Sequence, residues 1–230
     1  MSLINGLSTQ GEVLVFGGLL RDIALYGVRN FNSDIDLVVD CPLAVLSSFF
    51  NSSRYIVEQN KFGGYRLAVG GWTVDVWTIR ETWAFKSGHV EYVGRDSLLF
   101  TTITNWDSII FSFKDGKLIS FPRYLESLRL GEIEVILTEN PSELGVLMRV
   151  IKSICDKRAK VLMPRALKYL KVELGRWNSS QLVSAQKQSL DRVYLSEKEL
   201  EAFRLDIFSL REDLFGSPLS IKGGNFNLKF

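Results

Sequence analysis

Two aspartates separated by one residue have the spacing of a metal-binding pair. Asp34 and Asp36 lie at the start of segment 34–40, whose alternating and then apolar residues predict a strand that enters a core. Side chains two positions apart on a strand point to the same face of a sheet, so the two carboxylates project together. Adjacent carboxylates repel each other unless a cation lies between them, and Mg²⁺ prefers the oxygens of carboxylates and phosphates. The pair therefore predicts a magnesium site.

A third carboxylate follows in a segment that is otherwise rich in β-branched and aromatic residues. Asp75 interrupts the predicted strand 72–79, and an aspartate in a buried strand is costly without a partner. From the residues alone, two explanations stay open. Asp75 forms an ion pair with Arg66 or Arg80, or it completes a site for two metal ions with the first two aspartates.

A glycine pair precedes these aspartates at the junction between a predicted strand and a predicted helix. The apolar segment 12–16 ends at Gly17-Gly18, and a helical pattern follows. Free amides and the dipole at a helix N-terminus attract phosphate, and glycine lets the backbone approach it closely. Arg21, in the first turn, would add a charge-assisted contact to the same anion, whereas we expect Asp22 to brace the turn.

The elements that must position these residues form an α+β part up to residue 140, followed by a helical part. Further strands are predicted over 54–58, 64–70 and 72–79, and a hairpin over 108–120 with its turn at Asp115-Gly116. Helices are predicted over 42–50, 142–157, 164–174, 179–195 and 196–215. Ser196 and Glu199 have the spacing of a capping box. Residues 216–230 are expected to form an irregular or edge segment.

Composition excludes several classes of protein. Of the 230 residues, 46% are hydrophobic and 23% charged, too rich in core-forming residues for a disordered chain. No apolar run approaches the roughly 20 residues of a membrane-spanning helix, so no membrane partner is expected, and the N-terminal residues lack the pattern of a secretory signal. Cys41 and Cys155 form no CxxC motif, and the cytoplasm is the expected compartment. With His89 as the single histidine, chemistry must come from carboxylates, basic groups or backbone.

Positive charge is concentrated in one segment of a nearly neutral chain. Residues 152–176 carry eight basic and two acidic side chains, a net charge of +6, whereas the whole chain has a net charge of +2. Such a block is typical of a surface that binds a polyanion, and a solvated helix face explains it equally well. As RNA-binding candidates we take Lys157, Arg158, Lys160 and Arg165.

The order strand, Gly-Gly, helix, Asp-x-Asp, strand, Asp occupies 64 residues and resembles the nucleotidyltransferase superfamily. More specifically, it resembles the head domain shared by bacterial poly(A) polymerases and class II tRNA CCA-adding enzymes. That family's pattern GGxxRD, then DxD, reads here Gly17-Gly18-Leu19-Leu20-Arg21-Asp22, then Asp34-Ile35-Asp36. The acidic residue and the arginine of the family's next strand correspond to Asp75 and Arg80, and a later, loosened motif supplies Arg95, Asp96, Thr102 and Asn105.

The resemblance implies a fold, a reaction and a site. The fold would be α+β, a polymerase-β-like mixed sheet with flanking helices over 1–140, followed by a small all-α, neck-like domain over 141–230. The reaction would be Mg²⁺-dependent transfer of a nucleoside monophosphate from an NTP to a hydroxyl acceptor, with the 3′ end of a tRNA-like RNA as the leading acceptor. Catalysis and two Mg²⁺ ions would depend on Asp34, Asp36 and Asp75. Nucleotide binding would depend on Gly17, Gly18, Arg21, Arg80, Arg95 and Asn105.

Two departures from the family keep other functions open. The family's nucleotide-choosing motif, Glu-Asp-x-x-Arg, has no match, and neither does its long helical body, so a full CCA-adding enzyme is not expected. One alternative is a stand-alone nucleotidyltransferase that modifies a protein or a small molecule, as toxins, resistance enzymes and signalling enzymes do. The other is a non-catalytic nucleotide- or RNA-binding module. The residues leave open the choice of NTP, single or repeated addition, and the oligomeric state.

Overall fold

The computed structural model describes residues 2–60 and 62–218. The chain divides into two compact units, Met1–Tyr124 and Leu125–Phe230. The predicted boundary at residue 140 falls inside the second unit. Segment 125–140 belongs to the second unit because its strand Glu132–Ile133 pairs in parallel with Val161–Leu162, which connects the segment to the helices that follow it.

A seven-stranded mixed sheet forms the centre of the first unit. Its strands are β1 (Glu12–Phe16), β2 (Ile35–Asp40), β3 (Val57–Gln59), β4 (Tyr65–Val69), β5 (Trp72–Thr78), β6 (Ile109–Ser112) and β7 (Leu118–Ser120), in the order β3-β4-β5-β2-β1-β6-β7. The pair β2–β5 is parallel, and all other neighbouring strands of this sheet are antiparallel. The predicted hairpin is confirmed, with Gly116 in its turn at a φ of 66°.

Side chains alternate between two hydrophobic clusters on the two faces of this sheet. Helices α1 (Leu3–Ser8), α2 (Gly18–Tyr26) and α3 (Leu43–Ser52) pack on one face through Leu7, Leu19 and Leu46. The other face carries a second cluster that includes Leu14 of β1 and Val38 of β2. A short helix, α4 (Trp83–Lys86), and three 3₁₀ turns, Ile79–Glu81, Arg95–Thr101 and Asn105–Asp107, complete the unit. Helix α1 has no counterpart among the predicted elements.

The second unit is mainly helical, and it also has a small three-stranded sheet. Its helices are α5 (Tyr124–Leu130, which begins at the last residue of the first unit), α6 (Gly145–Asp156), α7 (Pro164–Arg176), α8 (Ser179–Ser189) and α9 (Glu197–Ser209). Its strands are β8 (Glu132–Ile133), β9 (Val161–Leu162) and β10 (Ser217–Pro218), in the order β10-β9-β8. The capping box of α9, from Ser196 and Glu199, is confirmed.

Two helices end earlier than predicted. Helix α8 ends at Ser189 because Leu190 is extended and the segment after it is bonded to the Gln186 side chain, which donates to the carbonyl of Leu195 and accepts from its amide. Helix α9 ends at Ser209, where Leu210 is extended and its carbonyl accepts from Lys171. Within the predicted tail, Ser217–Pro218 is a strand, and residues 219–230 lie outside the described residues. In the described part of the chain, no helix is both long and apolar enough to cross a membrane.

Candidate active site

A row of charged side chains crosses four neighbouring strands of the first sheet. Asp36 of β2 is paired in register with Asp75 of β5, Asp75 with Arg66 of β4, and Arg66 with Glu58 of β3. Residues paired directly across a sheet share a face, and their Cβ atoms are about 5 Å apart. The sheet therefore places Asp36, Asp75, Arg66 and Glu58 side by side on one face.

The Arg66 guanidinium is shared by the aspartates of this row and by Asp34. Its Nε and Nη2 donate to the two carboxylate oxygens of Asp75 at 2.8 and 2.6 Å, and Nη2 lies 3.5 Å from Oδ2 of Asp34. The hydrogen bonds and charge of Asp75, then the charges of Asp34 and Asp36, raise the pKa of Arg66 above its ordinary value. Of Arg66 and Arg80, the two ion-pair partners predicted for Asp75, the one that pairs with it in the structure is therefore Arg66.

The three predicted metal ligands thus gather around one positive group. No group of three or more His, Cys, Asp or Glu within residues 2–60 and 62–218 is arranged to hold a metal ion, since Asp34 and Asp75 turn their oxygens to Arg66. The donor chemistry nevertheless fits a hard divalent cation, because the set consists of carboxylates that already share a cation. Metal binding by Asp34, Asp36 and Asp75 stays a prediction.

The Gly17-Gly18 turn lies at the same end of the sheet as the aspartates. Strand β1 ends at Phe16 and runs antiparallel to β2, with Val15 opposite Leu37. Gly17 has a φ of 71° and a ψ of −121°, a conformation that favours glycine, and its amide donates to the carbonyl of Ile109 at 2.9 Å. The N-terminus of α2 therefore lies beside the Asp-x-Asp segment, and phosphate binding at this N-terminus stays a prediction.

Arg21 is buried in an ion-pair network instead of projecting towards solvent. Its side chain is 11% exposed, its Nε donates to Asp22 at 2.8 Å, and its Nη1 pairs with Asp107. Burial alone would lower the pKa of Arg21, but the charges of Asp107 and Asp22 outweigh burial and raise it. The guanidinium thus holds the start of α2 against the 3₁₀ turn that contains Asp107. A contact with triphosphate, predicted from the sequence, stays a prediction.

The same network fixes the segment that leads into Asp34. Asp22 is buried, as expected for a bracing residue, and accepts a hydrogen bond from the hydroxyl of Ser33. Asp107 also accepts from the hydroxyl of Thr104 at 3.2 Å. Asn105 begins the 3₁₀ turn Asn105–Asp107, so this predicted nucleotide-binding residue lies near the glycine turn. Asp107 was not singled out from the sequence, and the only signal for it was its position two residues after Asn105 of the later motif.

The structure does not bring Arg80 and Arg95 together with the aspartates. Arg95 pairs with Glu12 and, at 2.8 Å, with Asp115, and Glu12 is at the opposite end of β1 from Gly17. Arg80 follows the C-terminal end of β5 and stacks on the Tyr92 ring at 4.4 Å. Strands rise about 3.3 Å per residue, so the end of β5 that precedes Arg80 is about 10 Å from Asp75, and Glu12, the partner of Arg95, is about 13 Å from Phe16 at the glycine-turn end of β1.

The predicted RNA-binding residues surround the junction between α6 and α7. Lys157 is the C-cap of α6, Arg158 and Lys160 are exposed in the connection to β9, and Arg165 is in the first turn of α7. They therefore belong to more than one element: the end of α6, the connection to β9 and the start of α7. Arg165 donates to the carbonyl of Ile136 at 2.9 Å.

Three other members of the basic segment pair with acidic residues in the second unit. Arg176 contacts Glu143 at 2.7 Å. Lys152 contacts Asp191 at 3.0 Å, and Lys171 contacts Glu212 at 3.1 Å. The positive charge available to a polyanion is thus smaller than the sequence count indicates.

The sheet order, the glycine turn and the Asp-x-Asp segment together define a nucleotidyltransferase fold, and comparison with solved structures confirms this prediction. The chain is similar to a tRNA nucleotidyltransferase complexed with a primer tRNA and an incoming ATP analog, with 21% identity and a TM-score of 0.60, over 87% of this chain and 58% of that one. It is similar to a CCA-adding enzyme with CTP, with 22% identity and a TM-score of 0.59, over 89% of this chain and 48% of that one.

A third similar structure is the Thermotoga maritima CCA-adding enzyme complexed with tRNA, with 21% identity and a TM-score of 0.59. That similarity covers 88% of this chain and 48% of that chain. The chain thus spans about half the length of these enzymes. Comparison with protein-family models and with curated proteins gives no match. At these identities the likeness establishes the fold.

Proposed function

We propose that this chain is a metal-dependent nucleotidyltransferase that moves a nucleoside monophosphate from an NTP to a hydroxyl acceptor. The observation that carries the proposal is the gathering of Asp34, Asp36 and Asp75 around one cationic group. It occurs in a nucleotidyltransferase fold, at the end of the sheet where Gly17 begins α2. A non-catalytic module would have no need of three carboxylates that repel one another.

Each group of the site has a role in this reaction. Asp34, Asp36 and Asp75 would hold two Mg²⁺ ions, which when bound lower the pKa of the acceptor hydroxyl and stabilise the leaving pyrophosphate. The amides at the start of α2 would face the triphosphate, with Gly17 allowing a close approach. Arg21 would keep these amides in place through Asp22 and Asp107. The acceptor oxygen then bonds to the α-phosphorus as the bond to pyrophosphate breaks.

Replacement of one aspartate tests the proposed reaction. Asp36→Asn should abolish transfer of label from α-labelled NTPs in the presence of Mg²⁺, while the protein stays folded by circular dichroism. Asp40→Asn is the matched control, because Asp40 is exposed at the other end of the same strand, and it should keep full activity. An Asp36→Asn protein that transfers label at the rate of the unmodified protein would refute the proposal.

We take the 3′ end of an RNA as the acceptor. Two of the similar structures are complexes with tRNA, and Lys157, Arg158 and Lys160 supply positive charge in the second unit. Incubation of the protein with each labelled NTP, Mg²⁺ and total cellular RNA or protein would identify the acceptor by the fraction that gains label. The pairing of Lys152, Lys171 and Arg176 with carboxylates favours the second candidate, a protein or small-molecule acceptor.

Charge reversal separates these two acceptors. Lys157→Glu, Arg158→Glu and Lys160→Glu together should greatly weaken RNA binding and leave NTP binding unchanged. The log–log salt slope of the unmodified protein should be about −0.7 per contacted phosphate of a single strand. The control reverses Lys187, Lys198 and Arg211, which are exposed in the same unit. Equal RNA affinity in both triple variants and the unmodified protein would assign the acceptor to a protein or small molecule.

A further inference from the structure

Arg66 occupies the place where the proposed metal ligands converge. Its guanidinium bonds to both oxygens of Asp75 and reaches Asp34 at 3.5 Å. These are the oxygens that a divalent cation would have to take. A guanidinium and a divalent cation repel each other at such distances, so the two compete for the same carboxylates.

The Arg66 guanidinium can leave Asp75 for solvent, because the Arg66 side chain is 54% exposed, whereas Asp75 is 15% exposed. Ion pairs at solvent-exposed positions contribute little net stability, since water screens the charges. Two open concavities, of about 370 and 630 Å³, both have Arg66 and Glu58 in their lining. The guanidinium therefore has room to leave Asp75 on the side of the row where Glu58 lies.

Glu58 offers the displaced guanidinium a second carboxylate. It is the direct cross-strand neighbour of Arg66 on β3, as Asp75 is on β5. Arg66 thus lies between two acidic residues on the same face, of which Asp75 is a proposed metal ligand and Glu58 is not. A change of side-chain rotamer carries the charge from one to the other without a change in the backbone.

We propose that Arg66 is a positioning residue of the metal site, which holds Asp34 and Asp75 together before a divalent cation binds and moves onto Glu58 when the cation takes their oxygens. This inference rests on the proposed function, because it requires Asp34, Asp36 and Asp75 to bind metal. It predicts that removal of Arg66 and removal of Glu58 have opposite effects on metal affinity.

Calorimetric titration of the full chain with Mn²⁺ and with Mg²⁺ tests the opposite signs. Arg66→Gln should bind metal about tenfold more tightly, because the competing charge is gone. Glu58→Gln should bind metal about threefold more weakly, because Arg66 loses its second partner. The matched control is Arg54→Gln, which removes an exposed arginine from the lining of the larger concavity and should leave the affinity unchanged.

Each result decides the inference. The inference is overturned if Arg66→Gln binds metal with the same affinity as the unmodified protein or more weakly. It is also overturned if neither the unmodified protein nor Arg66→Gln binds metal. Tighter binding in Arg66→Gln with no change in Glu58→Gln overturns the role of Glu58. If Arg66→Gln does not fold without metal, Arg66→Lys, which keeps the charge but cannot fork onto both oxygens of Asp75, should bind metal more tightly than the unmodified protein.

The labelled-NTP assay separates failure of this inference from failure of the proposed function. An unmodified protein that transfers label, while Arg66→Gln has unchanged metal affinity, retains the proposed function without a role for Arg66. An unmodified protein that neither binds metal nor transfers label loses both.

Discussion

Replacement of Asp107 by asparagine should destabilise the protein strongly, because it breaks the largely buried ion pair between Arg21 and Asp107. The side chains of Arg21 and Asp107 are 11% and 18% exposed, so the charge of Arg21 is poorly hydrated when a partner is lost. Removal of one partner from a buried pair costs about 3–5 kcal/mol. Asparagine keeps a hydrogen-bond acceptor, and Asp22 still contacts Arg21. We therefore expect a loss of about 2–3 kcal/mol, at or just below the lower limit of that range.

Thermal denaturation followed by circular dichroism measures this loss. A change of 1 kcal/mol shifts the Tm of chains of this size by roughly 2–4 °C, so Asp107→Asn should melt roughly 5–10 °C lower. Asp96→Asn is the control, because Asp96 is 72% exposed and 3.9 Å from Arg95, and its Tm should change by less than about 2 °C. A Tm for Asp107→Asn within the range of the control would show that Arg21 does not depend on Asp107.

Three further substitutions test separate features. Gly17→Ala should cost about 1–3 kcal/mol, measured by chemical denaturation, because alanine is strained at the φ of 71° that this turn requires. The hydrogen bond from Arg95 lowers the pKa of Asp115 from 3.8 to about 2. The stability that this carboxylate contributes is therefore complete above about pH 4 and is lost as the pH falls through 2. Arg95→Gln should return the midpoint of the NMR titration of Asp115 towards 3.8. Ser196→Ala removes the N-cap hydrogen bond of α9 and should cost about 1 kcal/mol by the same denaturation measurement.

The sequence predicts the main sheet well, because its strands have strong local signals. The β-branched and aromatic segments became β4 and β5, and Asp115-Gly116 became the turn of a hairpin. The ends of helices were harder to predict, as α8 shows. Leu195 lies within the predicted helix 179–195 and is buried, but it follows the end of α8 in a non-helical segment that Gln186 holds. An apolar residue indicates burial, and the local pattern does not reveal which backbone conformation achieves it.

The sequence predicts that two side chains lie close together in the site when their residues share a strand or an adjacent turn. It does not predict this when part of a strand separates the two residues. Asp34 and Asp36 share a face because they are two residues apart. Arg80 is five residues beyond Asp75, in the 3₁₀ turn that follows the end of β5 at Thr78, so the strand alone carries the chain about 10 Å from Asp75 before that turn. Proximity to Asp75 in the sequence therefore does not place Arg80 beside the aspartates, since strand direction is a property of the folded sheet, and nucleotide binding by Arg80 stays a prediction.

Two arginines of this site are each shared by two aspartates, and burial gives them different roles. Arg21 and its partner Asp22 are 11% and 3% exposed, so water does not compensate the loss of a partner and the pair acts as a fixed brace. Arg66 is 54% exposed, and its partners Asp34 and Asp75 are 52% and 15% exposed, so water can hydrate the guanidinium itself when it leaves a partner, and the pair can exchange. The same ion-pair chemistry thus fixes the turn that would face a triphosphate and leaves the carboxylates beside it open to a metal ion. Of the two arginines, only Arg66 can give way to a divalent cation without loss of the fold, and the Asp107→Asn and Arg66→Gln variants measure that difference directly.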